Sequence, residues 1–242
     1  MLETGQRYGS IPGQAEALLQ LSILQIALGE FPLAKQTARR AEETILRLGP
    51  AHELRFGITD LTSLLNYFPD VKWAESAATA TLFAASPEAG RKPLCAHRAG
   101  DRGQGLLTVL TPVIEQMEPT RYVHHAAVAF GGTAVWEIGA TESALTYRRM
   151  ALDLIAAGFG DRILAQELTI ARMAVLLGRP QEAREYFALS RAQSEAEGLK
   201  PVRAITDYDE ALALIREGTA DRNRLLLLLD ATEVSFQALE WI

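Results

Sequence analysis

The chain has 242 residues, of which 48% are hydrophobic and 22% charged, so it is long enough and apolar enough to bury a sizeable core. Its 24 Lys and Arg residues stand against 30 Asp and Glu residues, for a formal net charge of −6, and the scattered basic residues argue against binding nucleic acid or an anionic membrane. A single cysteine excludes an internal disulfide framework, and the longest aliphatic run is far shorter than the roughly 20 residues of a membrane helix, so we expect a cytoplasmic protein.

Turn-forming residues recur along the chain at nearly constant intervals. The intervals are 40, 34, 36, 39 and 40 residues, close to the period of repeats built from two helices. The turn residues are Gly29, Pro69, Gly103, Gly139, Gly178 and Gly218. Four of the six units carry small residues five and twelve positions after the turn, where two helices have to approach closely. These small residues are Ala34, Ala74, Ala144 and Ala183 at the first position, and Ala41, Thr81, Ala151 and Ser190 at the second.

Each interval has the pattern of a helix with an apolar face, a reversal and a second helix. In chain order, residues 1–85 are predicted to hold N-terminal helical repeats and residues 106–242 to hold C-terminal tetratricopeptide-like repeats. Between them, residues 86–105 contain Pro and Gly at a density that predicts an irregular joint. We therefore predict an all-α fold, a right-handed superhelical array of antiparallel helix hairpins that forms one continuous solenoid.

Two adjacent glycines, Gly131 and Gly132, lie in the middle of the helix predicted before Gly139. Glycine inside a helix costs about 1 kcal/mol relative to alanine, so a compensating gain is required. We expect that neighbouring helices approach closely at these two positions.

The histidines and the cysteine do not form a recognisable metal or catalytic site. Neighbouring helical positions point about 100° apart, so His124 and His125 do not converge on a metal, and we interpret them as surface or groove residues. Cys95 lies near His97, as a nucleophile lies near its base, but no orienting acid or oxyanion pocket is recognisable nearby, which favours a structural thiol. We predict no catalytic residue, no metal and no cofactor.

Clusters of charged residues are interpreted as solvated helix faces. This applies to Glu42–Glu43 and to the acidic run Asp207–Glu210, although carboxylates also serve as general acids or bases. Arg39–Arg40 and Arg148–Arg149 fall on second helices, which form the outer wall of such arrays, and are predicted to face solvent.

Polar and aromatic residues on the first helix of each repeat are better binding candidates, because first helices line the concave face of such arrays. Trp, Tyr and Arg are also the residue types that dominate binding energy when an interface uses them. Judged by their positions on the predicted first helices, the candidates for a partner-binding groove are His125, Thr133, Trp136, Arg172 and Tyr208. The alternative for each of them is a packing role within the scaffold.

Three segments carry a more specific resemblance. They are CAHRAGDRGQGLLTVLTPVIEQ, LLGRPQEAREYFALSRAQSEAEGLKPVRAITDYDEALALIREG and TADRNRLLLLLDATEVSFQAL. In order and spacing, from Cys95 to Leu239, they resemble the C-terminal helical-repeat region of large bacterial signal-transduction ATPases, the LuxR/MalT-type regulators and the ATPases linked to adenylate or guanylate cyclase domains. The resemblance implies an interaction or sensing module in signal transduction and transcription regulation. The sequence has no G-x-x-x-x-G-K-[ST] phosphate loop, so ATP hydrolysis is not carried over.

Two functions follow from this pattern. In the first, a non-catalytic module binds a protein or peptide partner, or another domain of a longer parent protein, on its concave face. In the alternative, the groove binds a small inducer that alters the curvature of the superhelix. A sensor should enclose an apolar pocket with a few convergent polar groups, whereas an interaction module should present an open surface. An enzymatic function has little support.

Overall fold

The computed structural model describes residues 10–48, 107, 111–112, 114–116, 122–158, 163–218 and 221–239. Within these ranges the regular structure is α-helical and contains no strand, so the predicted all-α class is confirmed for this part of the chain. The helices with described bounds are α1 (Ile11–Leu28), α2 (Phe31–Leu46), α3 (Tyr122–Ile138), α4 (Thr141–Ala156), α5 (Gln166–Leu176), α6 (Pro180–Ala196), α7 (Lys200–Glu217) and α8 (Arg222–Ala238). Not one of these described helices is both long enough and apolar enough to cross a membrane.

The chain divides into two compact units, and the first contains α1 and α2. Helix α1 begins at Ser10, whose Oγ accepts a hydrogen bond from the backbone N–H of Gly13 at 3.2 Å, and it ends at Gly29. Helix α2 follows after a short turn and packs along α1. The hydroxyl of Ser22 donates to the carbonyl of Ala34 at 2.8 Å, a contact that requires closely spaced helix axes. The hairpin predicted for the first repeat is therefore confirmed.

The second unit runs to Phe236 and contains α3 to α7 together with α8 as far as that residue. Helices α3 and α4 pack on each other, as do α4 and α5, α5 and α6, and α6 and α7. First helices of successive hairpins are also in contact, because α5 packs on α3 and α7 contacts α5. Side chains from α3, α5 and α7 can therefore meet, although they are far apart in the sequence.

Helices of this unit end at regularly spaced glycines, at positions 139, 158, 178, 198 and 218, whose backbone φ angles lie between 63° and 74°. Glycine adopts this left-handed conformation without the penalty of a Cβ, so it ends a helix at low cost. The turns predicted at positions 29, 139, 178 and 218 are confirmed. Pro69, Gly103 and the irregular joint predicted for residues 86–105 lie outside the described residues.

Small residues are buried in the second helix of the described hairpins. Exposed fractions of 2% or less are found for Ala34, Ala41, Ala144, Ala151, Ala183 and Ser190. The remaining predicted pair, Ala74 and Thr81, lies outside the described residues. Helix α8 differs, because Asn223 and Asp230 occupy the equivalent positions and are exposed, and Thr232 is its buried residue. Helix α8 is therefore packed less closely than the other second helices.

Gly131 and Gly132 bring α3 against two neighbours at once. A Cβ added to Gly131 would overlap the ring of Tyr147 in α4, and one added to Gly132 would lie 2.6 Å from Cγ2 of Thr169 in α5. Both neighbours are buried, so the packing leaves no space for an additional methyl group. The predicted close approach at these glycines is confirmed.

Candidate partner-binding surface

Helix α7 carries the acidic run, and its three carboxylates are buried. The exposed fractions of Asp207, Asp209 and Glu210 are 3%, 2% and 2%. The prediction that this run forms a solvated face is wrong, because α5 and α6 pack on α7 and supply arginines. Burying a carboxylate is costly unless charged or hydrogen-bonding partners replace the lost water, and each of these three has such partners.

Asp209 joins the first helices of three hairpins. Its Oδ1 accepts a hydrogen bond from Nε1 of Trp136 in α3 at 3.0 Å, and its Oδ2 lies 2.6 Å from both Nε and Nη2 of Arg172 in α5. Arg172 also donates through Nη1 to the hydroxyl of Thr133 at 2.8 Å, and that hydroxyl donates to the carbonyl of Ala129 at 2.9 Å. We call Thr133, Trp136, Arg172 and Asp209 the inner network.

Asp207 and Glu210 connect α7 to the flanking helices. Arg191 in α6 donates to Asp207 at 2.7 Å and also to Glu210, so it bridges the two carboxylates. Arg203 in α7 donates to Asp207 at 2.9 Å, and Arg224 in α8 donates through Nε to Glu210 at 3.0 Å. The acidic run thus binds α7 to both α6 and α8.

The inner network is internally satisfied. Burial raises the pKa of Asp209, while the ion pair with Arg172 and the hydrogen bond from Trp136 oppose that rise. Both carboxylate oxygens have donors, and removing Arg172 would leave the buried carboxylate without its ion pair. Breaking a buried ion pair in this way costs about 3–5 kcal/mol. The network therefore fixes α3, α5 and α7 in one arrangement.

One face of α7 is open to solvent beside this network. Tyr208 and Ile215 are 38% and 53% exposed, Arg216 is exposed and Leu212 is half-buried. Spacings of four, seven and eight residues from Tyr208 place the other three on the same side of the helix. The guanidinium carbon of Arg216 lies 3.9 Å from the ring centroid of Trp136, in cation–π geometry, so this face borders the inner network. We call Tyr208, Leu212, Ile215 and Arg216 the α7 surface.

Tyr208 is held in place and keeps its proton. Its ring centroid lies 5.7 Å from that of Phe236 in α8, with the ring planes tilted by 43°. Burial raises the pKa of Tyr208, and the nearby carboxylates of Glu137 and Asp209 raise it further, while Arg216 opposes them. The phenol is therefore a hydrogen-bond donor at neutral pH, beside an exposed acceptor in Glu137.

The structure places the five predicted groove residues in three different settings. Thr133, Trp136 and Arg172 come together in the inner network and are buried. Tyr208 lies on the α7 surface. His125 is buried elsewhere on α3, where its backbone carbonyl accepts from the side chain of Gln166 at 3.3 Å. The binding role of all five stays a prediction.

His124 and His125 are both buried, with exposed fractions of 3% and 4%, so their predicted surface placement is wrong. Burial lowers the pKa of His124, and the neighbouring His125 lowers it further, while Asp153 acts in the opposite direction. Nδ1 of His124 has no hydrogen-bond partner among the described residues. The imidazole is therefore held neutral in the folded chain at neutral pH.

The other charged clusters mostly follow the prediction. Arg39–Arg40 and Glu42–Glu43 are exposed. Arg149 is also largely exposed, with a side-chain exposure of 60%, whereas Arg148 is partly buried and donates through Nε to Glu182 at 2.8 Å. Arg148 thus links α4 to α6.

Two important residues were missed at the sequence level, Asp209 and Arg216. A signal for Asp209 was present, because it lies seven, four and four residues from Val202, Ile205 and Ala213, which form a buried helical face. An acidic residue inside an apolar stripe indicates a buried partner. Arg216 carried no such signal, because its position over Trp136 depends on how α3 and α7 are brought together.

Among the described residues, no three His, Cys, Asp or Glu side chains are arranged to hold a metal ion. Compared with models of protein families and with curated proteins, the chain matches none of them. Its function is therefore inferred from its geometry and from the resemblance in its sequence.

Proposed function

We propose that the chain is a non-catalytic interaction module that binds a protein or peptide partner. In this proposal the helix hairpins form a tetratricopeptide-like, right-handed solenoid in the cytoplasm, and the partner lies on its concave face. The observation that carries the proposal is the α7 surface, where Tyr208, Ile215 and Arg216 are exposed on a helix that is otherwise largely buried.

The residue types of the α7 surface are those that contribute most to protein–protein binding. Tyr and Arg are enriched among residues whose removal weakens a complex strongly, and an exposed isoleucine offers apolar area. Glu137 adds a negative charge close to Tyr208. The surface can therefore bury apolar area and also make directional polar contacts.

The inner network favours an interaction surface over a small-molecule site. In a ligand pocket, a few polar groups converge on an open cavity. Here the carboxylate of Asp209 and the donors of Trp136 and Arg172 are engaged with one another. Their effect is to hold α7 rigid, and a rigid binding surface loses less conformational entropy when a partner binds.

The segment from Cys95 to Leu239 resembles the helical-repeat region of bacterial signal-transduction ATPases, and this resemblance extends the proposal to a cellular role. We place the module in a bacterial signalling or transcription-regulating ATPase of the LuxR/MalT type or of the cyclase-linked type. Its partner would then be another protein or another domain of the parent protein.

The test is affinity capture from a lysate of the cells that produce the chain, followed by measurement of the dissociation constant of the captured protein. Ile215→Glu is the test variant. Leu145→Glu is its matched control, because Leu145 in α4 is 55% exposed and Ile215 is 53% exposed. Circular dichroism and thermal unfolding establish that both variants fold as the native chain does.

We expect Ile215→Glu, and separately Tyr208→Ala, to weaken binding by about 10-fold or more, as at a typical binding hot spot. Leu145→Glu should bind within about 3-fold of the native chain, as expected for a residue outside an interface. Equal binding by Ile215→Glu and the native chain would show that the partner does not contact the α7 surface. Specific retention of no protein at all would contradict the interaction module itself.

A further inference from the structure

Helix α8 exposes several large apolar side chains, and its ring contact with α7 is made by Phe236, which packs on Tyr208. Its contact with α7 includes Arg224, which pairs with Glu210. The exposed apolar residues of α8 are Leu226, Leu227, Leu229 and Val234, with exposed fractions of 48%, 70%, 37% and 66%. Large apolar side chains exposed on consecutive turns are typical of an interaction site. None of these residues belongs to the α7 surface, so a role for them goes beyond the function proposed above.

Along this helix, one row of four residues has two leucines in the middle and opposite charges at its two ends. Arg222, Leu226, Leu229 and Glu233 are separated by four, three and four residues, and all four are exposed. At 3.6 residues per turn they lie within about 60° of one another, on the side opposite Arg224. We call them the α8 row. From either end, the row reads as a charge, two leucines and the opposite charge.

We infer that the α8 row binds the same row of a second copy of the chain, with the two helices antiparallel. In that arrangement Arg222 of each copy faces Glu233 of the other, and Leu226 faces Leu229. Each contact occurs twice, as twofold symmetry requires. A parallel arrangement would place like charges opposite each other, which is unfavourable.

Charge complementarity makes a second copy the occupant that fits this row. An acidic or a basic partner would complement one end of the row and repel the other, whereas an antiparallel copy complements both. The row extends over about 16 Å at 1.5 Å per residue, so the contact lies at or below the lower end of the size range of stable interfaces. The dimer should therefore form with a dissociation constant in the micromolar to millimolar range, about 10⁻⁶ to 10⁻³ M.

Sedimentation velocity of the chain, from about 1 μM to about 1 mM, measures this equilibrium directly. The native chain should shift from the monomer mass of 26.5 kDa towards twice that value as its concentration rises. Leu226→Glu should raise the dissociation constant by about 10-fold or more, because it places a charge at the apolar centre. Leu189→Glu in α6 is the matched control, since Leu189 and Leu226 are both 48% exposed.

Charge exchange tests the antiparallel register. Arg222→Glu alone should raise the dissociation constant of the dimer about 10-fold, because it creates two like-charge contacts. The double variant Arg222→Glu with Glu233→Arg should return the dissociation constant to within about 3-fold of the native value. A double variant as weak as the single one would refute the antiparallel pairing. A native chain that stays monomeric up to about 1 mM would refute the dimer and leave the row to another occupant. The same conclusion would follow if Leu226→Glu and Leu189→Glu behaved alike.

Discussion

Replacing Gly132 with alanine would place a Cβ 2.6 Å from Cγ2 of Thr169, at the point where α3 crosses α5. Thr169 is 1% exposed and β-branched, so its methyl group has little freedom to move away. The other atoms of Thr169 near the new Cβ lie 3.5 and 3.6 Å away, which is ordinary van der Waals contact. The conflict is therefore confined to one methyl group.

Two effects of opposite sign decide the outcome. Alanine gains about 1 kcal/mol over glycine as a helix former, whereas forcing a methyl group into a packed core costs about 1–3 kcal/mol. Gly132→Ala should therefore lower the free energy of unfolding by up to about 2 kcal/mol. In a Thr169→Ser background the obstructing methyl is absent, so the same substitution should raise the free energy of unfolding by up to about 1 kcal/mol.

Urea denaturation of the four proteins of this double-mutant cycle gives the coupling between the two positions, which we expect to be about 1–3 kcal/mol. Gly131→Ala is the control, because its new Cβ would meet Tyr147 and not Thr169. Its cost should be the same in both backgrounds. If Gly132→Ala also had the same effect in both backgrounds, the close contact between α3 and α5 would not be the reason for glycine at this position.

Two further predictions concern the buried polar groups. Arg172→Met should lower the free energy of unfolding by about 3–5 kcal/mol because it leaves Asp209 buried without its ion pair. The control is Arg149→Met, which should cost about 1 kcal/mol or less because Arg149 is exposed. Equal costs of the two substitutions in urea denaturation would contradict the role of the inner network. Because the pKa of His124 is lowered from its ordinary value of 6.5 in the folded chain, the unfolded chain binds a proton first, and native stability should fall as the pH drops below about 6.5. Thermal unfolding at pH 7.5 and 5.5 should show a larger acid-induced loss for the native chain than for His124→Gln, and parallel losses would rule out His124 as the group responsible.

Much of the local structure followed from the sequence. Glycines at 29, 139, 178 and 218 marked the ends of helices because the left-handed conformation favours glycine over other residues. Small residues such as Ala34 and Ala183 marked close helix contacts, and the pair Gly131–Gly132 marked the closest one. These signals depend on a residue's own size and backbone preference, so they are readable without knowing which helix lies opposite.

The candidate surface was only partly predictable. Trp136, Arg172 and Tyr208 were identified by their phase on first helices, but phase gave only the side of the helix and not the depth of burial. Trp136 and Arg172 are buried in the inner network, and only Tyr208 reaches the surface. The partner that links them, Asp209, was predicted to be solvated. Phase alone therefore could not distinguish a supporting residue from an exposed one.

The sequence by itself determined where helices begin and end and which faces are apolar, because those properties arise from residues within a few positions of each other. The tertiary structure decided which charges are buried. Asp209 is stabilised by donors 37 and 73 residues away, and Asp207 by Arg191, 16 residues away. A carboxylate in isolation belongs in water, and it can be buried only where folding delivers an arginine to it.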